Sequence, residues 1–332
     1  MVSKKVVGGI VAIIVIAAII GSIALIYTPK PTTSEQVTVM MPFVPVPPLT
    51  PYYVGIEKGF YAEEGLNVSL QFTPKGSGDA ITQLVGGNAQ FTQVNGDSLI
   101  TARSKDLPIV AIYQVGHENL FGATVKNNTN ITSPRDLEGK TVAVPGPNAP
   151  MEITTKAMIE NEGGDYNTVN FVYVGASIVP VLAEGKADAI GAYMVQEEIL
   201  KSMGVDIKTF YGKDYGANFV TQCIATTEDI ANNNPELVRK FIRATHKAYK
   251  YSVEHPEEAI DIFVKYNPQT NRELALRIWK RYIQEDMAVD KYPLGEINEA
   301  QWELTADTLY DMGIIQKKIK VSDAYRKDFI PS

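Results

Sequence analysis

The sequence predicts an α/β protein with a cleft between two similar halves, and three observations support this fold class. Short apolar strands alternate with helical segments at the spacing of strand, turn, helix and strand units. A buried strand, a rigid turn rich in proline or glycine, and a following helix occur twice, with the turns at residues 43–53 and 145–152. Ligands of open α/β sheets bind at the carboxyl ends of strands, so two such turns that face each other would form a cleft.

Composition and charge narrow the class of protein. The chain has 332 residues, of which 45% are hydrophobic and 21% are charged, and this is material for about two globular domains. The net charge of −7 argues against a nucleic-acid binder, because contacts to phosphates need a basic face. Cys223 is the one cysteine, so no internal disulfide forms, and we expect it to be a buried apolar side chain.

The amino terminus carries a separate signal. Lys4 and Lys5 precede an apolar run over residues 6–26, which is long enough to cross a bilayer of about 30 Å. We predict that residues 1–27 form an uncleaved single-pass anchor in the cell membrane and that the rest of the chain lies outside the cytoplasm. The alternative is a cleaved signal peptide with a site at Ser22-Ile23-Ala24, which would leave the protein secreted.

The first half begins with a strand and the turn that contains Phe43 and Tyr53. The prolines of this turn suppress helix and ladder pairing, so we expect its aromatic rings to lie on a stiff, extended segment; alternatively, they pack on neighbouring elements. Asp79 lies at the start of a helix, where it either binds a ligand or caps the helix. A later strand leads to Asn95 and Asp97. The strands are predicted at residues 37–41, 66–72, 88–94 and 107–114.

The second half repeats this order and then becomes helical. The turn at residues 145–152, which contains Asn148, follows a buried strand and precedes a helix at residues 153–160. Beyond Thr227, apolar residues recur at spacings of three and four, as in amphipathic helices. Strands are predicted at residues 121–125, 141–144, 169–174, 187–193 and 207–211, followed by the apolar run 219–225. Helices are predicted at residues 178–182, 235–254, 256–266, 272–285 and 298–313.

Several segments, in their order along the chain, resemble one known family. They are residues 55–68, 86–91, 102–103, 133–140 and 185–189. The segments look like those of the NMT1/THI5-like group of periplasmic binding proteins of ABC importers. That group includes binders of thiamine-precursor pyrimidines, and its relatives bind sulfonates, nitrate and riboflavin. The resemblance runs from Val37 to Ile315.

The resemblance implies a two-lobed, periplasmic-binding-protein-like fold of type II, in which two α/β lobes close on a ligand about a hinge. The chain would cross between the lobes near residues 114–125 and 221–227. The implied partners are a small-molecule ligand and an ABC permease with its cytoplasmic ATPase, and the expected state is a monomer. The implied division is a tether at residues 28–36, lobe I at residues 37–120 and 226–332, and lobe II with the hinge crossings at residues 121–225.

The resemblance also indicates ligand-binding residues. The stretch from Gly191 to Glu197 is similar to a second-lobe stretch of the pyrimidine binders, and Asp214-Tyr215-Gly216 is similar to a turn before their return crossing. The opening turn departs from the family, since Phe43 stands at the family's tryptophan and Leu49 at a common histidine. The candidate ligand-binding residues are Phe43, Tyr53, Asp79, Asn95, Asp97, Asn148, Tyr193, Glu197, Asp214 and Tyr215, with Glu197 the strongest.

The turns predicted to line the cleft favour a nitrogen heterocycle. They contain aromatic residues and carboxylates and no arginine. Aromatic faces stack on flat rings, and carboxylates accept hydrogen bonds from ring amino groups. We therefore expect a neutral or cationic ligand similar to a thiamine-precursor pyrimidine, whereas a sulfonate, taurine, nitrate or riboflavin-type ligand is the alternative.

Enzymatic functions are poorly supported, and we predict a binding protein without a cofactor or metal. The three histidines, His117, His246 and His255, are scattered, and no phosphate-binding loop follows a strand. The resemblance leaves one rival, because some relatives synthesise the pyrimidine from a protein-bound histidine and PLP. That chemistry needs a lysine and a histidine in the cleft, and the predicted turns contain neither. A tethered sensor domain with the same lobes is a third possibility.

Overall fold

The computed structural model describes residues 34–73 and 75–331. The predicted anchor or signal segment, residues 1–27, lies outside the described residues, as does most of the predicted tether. Within the described ranges, no helix is both long and apolar enough to cross a membrane. Residues 36–332 form one compact unit.

In the part of the chain that the structure describes, ten strands form two five-stranded sheets, which confirms the predicted α/β architecture. The strands are β1 (Glu35–Met41), β2 (Leu66–Phe72), β3 (Phe91–Val94), β4 (Ile109–Gln114), β5 (Gly122–Lys126), β6 (Thr141–Val144), β7 (Asn170–Tyr173), β8 (Ala189–Ala192), β9 (Ile207–Tyr211) and β10 (Cys223–Thr227). The first sheet has the order β2-β1-β3-β10-β4 and the second has the order β7-β6-β8-β5-β9.

The two sheets have the same internal arrangement. Parallel pairs join β1 to β3 in the first sheet, and β6 to both β7 and β8 in the second. In each sheet the fourth strand is antiparallel to both neighbours: β10 lies between β3 and β4, and β5 lies between β8 and β9. Both antiparallel strands adjoin a crossing between the sheets, so each sheet is completed by a strand next to the hinge.

Helices surround the sheets. The helix Thr50–Glu57 packs against the helices Pro235–Glu254 and Pro256–Tyr266. The helix Arg272–Arg281 packs against both the helix Met194–Ser202 and the Pro47–Leu49 turn. The helices are α1 (Thr50–Glu57), α2 (Phe60–Glu63), α3 (Ser77–Val85), α4 (Gly96–Ser104), α5 (Pro150–Asn161), α6 (Ile178–Ala183), α7 (Met194–Ser202), α8 (Glu228–Asn233), α9 (Pro235–Glu254), α10 (Pro256–Tyr266), α11 (Arg272–Arg281) and α12 (Glu299–Asp311). A π-helical turn, Tyr282–Asp286, continues α11.

The chain crosses between the sheets twice. Residues 115–121 lead from β4 to β5, and residues 212–222 lead from β9 back to β10. The sequence-based division assigned residues 121–225 to the second lobe and the hinge crossings, whereas Cys223–Thr227 pairs with β3 and β4 of the first sheet. The return to the first lobe therefore comes earlier than predicted, because the apolar run around Cys223 fills the buried space between two strands of that sheet.

The opening turn is shorter than predicted. Pro47–Leu49 forms a 3-10 turn, and α1 begins at Thr50 with Pro51 in its first turn, where the missing N–H of proline leaves no helical bond unmade. Tyr53 is consequently a helical residue that faces the core, with its ring 5.3 Å from Phe263. The expectation that Tyr53 lies on an extended segment is wrong, and only the part of the turn before Pro47 keeps that form.

The apolar core is continuous between the lobes. Phe121 and Tyr193, which flank the second sheet, belong to the same buried cluster as Tyr113 and Ile224 of the first sheet. The lobes are therefore in contact in this structure, and the candidate site lies near the edges at which the two sheets meet.

Candidate ligand-binding site

A small pocket with a cavity volume of about 40 Å³, partly open to solvent, lies at the carboxyl edge of the first sheet. Phe43 follows β1 and Asn95 follows β3, whereas Gln222 precedes β10. Because β10 is antiparallel, its beginning lies at the same edge as the ends of β1 and β3. The pocket is lined by Pro42, Phe43, Val46, Pro48, Leu49, Gln93, Val94, Asn95 and Gln222.

Two glutamines of the pocket belong to a buried hydrogen-bond network. The Tyr249 hydroxyl donates to Gln93 Oε1 at 3.3 Å, and Gln93 Nε2 donates to Gln222 Oε1 at 2.7 Å. The Tyr282 hydroxyl donates to the same Gln222 oxygen at 2.7 Å. Burial raises the pKa of both phenols well above the ordinary value, so they stay protonated at neutral pH. The network fixes how both amides are oriented.

Phe43 and Asn95 complete the polar and aromatic surface of the pocket. The Phe43 side chain is 47% exposed, which leaves one side of its ring free to contact a ligand. Asn95 is buried, and its backbone N–H donates to Ser77 Oγ at 3.3 Å. Within residues 34–73 and 75–331, no side chain or backbone group pairs with the Asn95 carboxamide.

The facing edge of the second lobe is aromatic. Tyr193 follows β8, Tyr211 ends β9, and Phe121 precedes β5. The rings of Phe121 and Tyr193 lie 4.8 Å apart. The Tyr193 hydroxyl donates to Asp286 Oδ2 at 2.8 Å and thereby contacts the first lobe. Tyr193 thus lies at the predicted interface between the lobes, and its hydroxyl already donates to Asp286.

Glu197 is almost completely buried in the first turn of α7. Its Oε2 accepts hydrogen bonds from the Tyr211 hydroxyl at 2.7 Å and from Arg281 Nη1 at 2.8 Å. Its Oε1 has no hydrogen-bond partner among the described residues. Burial opposes the charge of Arg281, but Glu197, Tyr211 and Glu285 together outweigh this effect and the Arg281 pKa is raised. Because Arg281 ends α11, this ion pair joins the two lobes.

Asp286 is a second buried group at the interface. Besides Tyr193, it accepts a hydrogen bond from Thr221 Oγ1 at 3.2 Å, and its backbone carbonyl accepts from the N–H groups of His117 and Glu118 at 2.8 and 2.9 Å. Asp286 therefore contacts both crossings and the second lobe. Burial raises its pKa to about 7.

Sequence patterns did not indicate Gln222, Arg281 or Asp286. Gln222 lies in a predicted apolar run, Arg281 lies in the predicted helix at residues 272–285, and Asp286 follows directly after that helix. The π-helical turn leaves no pattern in the sequence that we recognised. Gln222 directly precedes the strand that follows the return crossing, and this position could have indicated a residue of the site.

Asp79 and Asp97 do not line the pocket, and each accepts a hydrogen bond from a nearby residue of the chain. Asp79 accepts a hydrogen bond from Thr73 Oγ1 at 2.5 Å. Asp97 is buried in the first turn of α4, where it accepts from the Ser98 N–H at 2.5 Å, and burial raises its pKa to about 6. Both carboxylates thus satisfy local groups near helix amino termini, which is the alternative that the sequence left open for Asp79.

The other predicted residues of the second lobe lie outside the pocket lining. The exposed Asn148 donates its backbone N–H to Glu152 at 2.7 Å. The exposed Asp214 lies 3.4 Å from Lys213 Nζ. The ring of Tyr215 lies 6.0 Å from that of Phe210, and Tyr53 is in the core as described above. Of the ten predicted residues, Phe43 and Asn95 line the pocket, and Tyr193 and Glu197 lie at the interface between the lobes.

Comparison with known families identifies the class of protein. The family model described as NMT1/THI5 like matches residues 46–259, which is more than half of the chain. The chain belongs to this family, and the resemblance noted in the sequence is confirmed.

Similar curated proteins include both binding proteins and enzymes. The formylaminopyrimidine-binding protein of Halalkalibacterium halodurans is 31% identical over 88% of this chain and 89% of its own length. The riboflavin-binding protein RibY of Chloroflexus aurantiacus is 26% identical over 90% of this chain and 87% of its own. A 4-amino-5-hydroxymethyl-2-methylpyrimidine phosphate synthase of Legionella pneumophila is 25% identical over 90% and 93%.

Solved structures agree with the fold. The periplasmic aliphatic sulphonate binding protein SsuA of Escherichia coli superposes with a TM-score of 0.72 over 88% of this chain and 92% of its own. The sequence identity is 13%, so this likeness establishes the two-lobed periplasmic-binding-protein-like fold and nothing about the ligand.

Proposed function

We propose that this chain is the extracytoplasmic solute-binding protein of an ABC importer and captures a small nitrogen-heterocyclic ligand between its lobes. The observation that carries the proposal is the pocket at the edge of the first sheet, with Phe43, Asn95 and Gln222 at the ends of strands next to the hinge. The 31% identity to a formylaminopyrimidine-binding protein over most of both chains supports a ligand of the pyrimidine class.

Glu197 is the acceptor that we assign to an N–H group of the ligand. Its Oε1 is buried and has no partner in the described part of the chain, and such a group is costly unless something donates to it. The nearby rings of Tyr193 and Phe121 supply a flat apolar surface. A ring amino group would thus be bound without any change to the Glu197–Arg281 ion pair.

Binding by hinge closure follows from the contacts between the lobes. Arg281 and Asp286 of the first lobe bind Glu197 and Tyr193 of the second lobe. We assign these contacts to the closed form, so the lobes separate before a ligand enters and close again around it. Domain closure about two crossing segments is the usual motion of such folds.

The experiment that tests the function begins with the fragment that starts at Ser34. Mass spectrometry of what copurifies with it identifies candidate ligands, and calorimetry with the pure compound then measures affinity. We expect a small heterocycle that binds reversibly and is recovered unchanged. Recovery of a chemically altered compound would favour an enzyme over a binding protein.

Two alternatives have specific support. The relation to RibY favours a riboflavin-type ligand, and the relation to pyrimidine phosphate synthases favours an enzyme. Against the enzyme, no lysine or histidine is among the residues lining the pocket, within the part of the chain that the structure describes. His117 stacks on Tyr292 at 4.5 Å, and burial lowers its pKa to about 4. A sulfonate ligand would need a cation, and Arg281 is already paired with Glu197.

The proposed location follows from the family and from the amino-terminal sequence. Binding proteins of importers act outside the cytoplasm, and residues 1–27 have the length and charge of a single-pass anchor. We expect the full chain to fractionate with membranes and the fragment from Ser34 to remain in the aqueous phase. A full chain released without its first residues would instead support a cleaved signal peptide.

A further inference from the structure

We infer that Gln222 donates a hydrogen bond to an acceptor atom of an uncharged ligand, and that this carboxamide selects the chemical class of the ligand. The inference rests on the proposed function, because it concerns the same pocket. It differs from the sequence-based expectation, in which carboxylates recognise a neutral or cationic ring.

The hydrogen bonds of Gln222 determine which atom of its amide is available to a ligand. A carbonyl oxygen has two lone pairs, and Gln222 Oε1 already accepts from Gln93 Nε2 and from the Tyr282 hydroxyl, both at 2.7 Å. The oxygen has no lone pair left for a ligand. Gln222 Nε2 has no acceptor among residues 34–73 and 75–331, so its N–H groups remain to be satisfied from the pocket.

The opposite orientation is disfavoured by the buried phenols. If both amides were reversed, the hydroxyl protons of Tyr249 and Tyr282 would lose the oxygens to which they donate. Both tyrosines are fully buried, and buried donors are almost always paired. Gln93 is only 2% exposed, so water does not replace the lost acceptor. The network therefore presents Gln222 to the pocket as a donor.

The charge of the ligand follows from the lining. The pocket is lined by apolar and amide side chains, with no ionised group among the described lining residues. The buried carboxylate at the facing edge, Glu197, is neutralised by Arg281 at 2.8 Å. A charged ligand would lose its hydration without gaining a counterion, which is strongly unfavourable. An uncharged ring with a carbonyl oxygen or ring nitrogen meets the Gln222 donor at no such cost.

Asn95 and Phe43 restrict the class further. The Asn95 carboxamide offers both a donor and an acceptor, and Phe43 offers an exposed ring face. Together with Gln222, they fit a flat molecule with at least one acceptor on its edge. A compact anion such as a sulfonate lacks the flat face and carries the wrong charge.

The test uses four probes and the fragment from Ser34. Two probes are uncharged rings, 4-amino-5-hydroxymethyl-2-methylpyrimidine and riboflavin, and two are charged, methanesulfonate and thiamine. We expect calorimetry to detect binding of at least one uncharged ring and neither charged probe. In Gln222→Glu, which replaces the donating amide with a carboxylate of the same shape, affinity for the bound ring should fall at least about tenfold. Gln316→Glu, an exposed site with the same charge change, should keep the original affinity.

The outcomes distinguish a failure of the inference about Gln222 from a failure of the proposed solute-binding function. Preferential binding of methanesulfonate or thiamine, or unchanged affinity in Gln222→Glu, overturns the inference and leaves a solute-binding function standing. Failure of all four probes together with no copurifying compound contradicts the function itself. Tyr282→Phe is the second variant: it keeps the Gln222 side chain but releases one lone pair of its oxygen, and we expect affinity to fall about threefold. Unchanged affinity in that folded variant also counts against the inference.

Discussion

Asp286 is a buried carboxyl group that contacts both lobes, and its ionisation makes stability depend on pH. Its pKa is raised to about 7, first by burial, with Glu118 and Glu285 acting in the same direction. In the unfolded chain it titrates near the ordinary value of 3.8. Between these values the folded state binds more protons than the unfolded state, so stability falls as pH rises through this window.

Asp286→Asn should remove this dependence. Asparagine cannot ionise, and its side-chain oxygen still accepts from Tyr193. Between pH 5 and pH 8, urea unfolding should show that the original protein loses on the order of 2 kcal/mol relative to the variant. Asp97 has a raised pKa as well, but it is present in both proteins and cancels in the difference. Parallel pH profiles for the two proteins would show that Asp286 does not titrate in this range.

The pair Glu197 and Arg281 should be strongly coupled. Glu197→Gln keeps the shape of the side chain but removes the nearest buried counterion of the guanidinium. Glu285 at 2.9 Å and Glu198 at 3.4 Å remain and limit the loss. We expect the free energy of unfolding to fall by about 1–3 kcal/mol. Adding Arg281→Met should recover most of this loss, whereas the exposed control Glu303→Gln should change little. If the double variant is no more stable than Glu197→Gln, the two side chains act independently.

At the level of elements, the two crossings approach each other at Gly116. A methyl group at this position would lie 1.9 Å from Thr221 Oγ1 and 2.3 Å from Asp286 Oδ1. Gly116→Ala should therefore lower the free energy of unfolding by about 1–3 kcal/mol, because neither neighbour is free to move.

The matched control is Gly78→Ala. Gly78 is exposed within α3, and an added methyl group there meets nothing within 4 Å. Alanine has the higher helix propensity, so this variant should gain about 0.5–1 kcal/mol. Chemical denaturation of both variants provides the measurement. Similar stabilities for the two would mean that the crossings tolerate the added volume.

At the level of the whole molecule, we expect ligand binding to change the distance between the lobes. In solution, small-angle scattering of the fragment from Ser34 should give a smaller radius of gyration with the ligand than without it. Weakening the interface with Glu197→Gln and Tyr193→Phe together should enlarge the ligand-free form. Identical scattering curves in all these conditions would argue for rigid lobes.

Much of the fold was predictable from local sequence. Nine of the ten strands in the described residues were predicted, because each is a short apolar or alternating segment bounded by glycine, proline or polar turns. The segment of the tenth, Cys223–Thr227, was predicted only as an apolar run near the return crossing. The helix Met194–Ser202 was not assigned, since the prediction ended at the loop matched to the family. Tyr53 was misplaced because a proline in the first turn starts a helix instead of preventing one.

The candidate site was only partly predictable. Phe43 and Asn95 come directly after strands, so strand order indicated their place. The contacts of Arg281 with Glu197 and of Asp286 with Tyr193 join residues that are 84 and 93 positions apart. Single-sequence patterns report on neighbours within a few turns of helix, so they do not indicate which distant side chains meet.

The division of the first sheet between two pieces of chain affects how the protein is made. All five strands of the second sheet lie within residues 122–211 and are synthesised before β10. Strands β1 to β4 of the first sheet are synthesised earliest, but this sheet lacks β10, which lies between β3 and β4, until Cys223–Thr227 has been synthesised. The lobe translated second is thus the first with all its strands available, which reverses the usual amino-to-carboxyl order of co-translational folding.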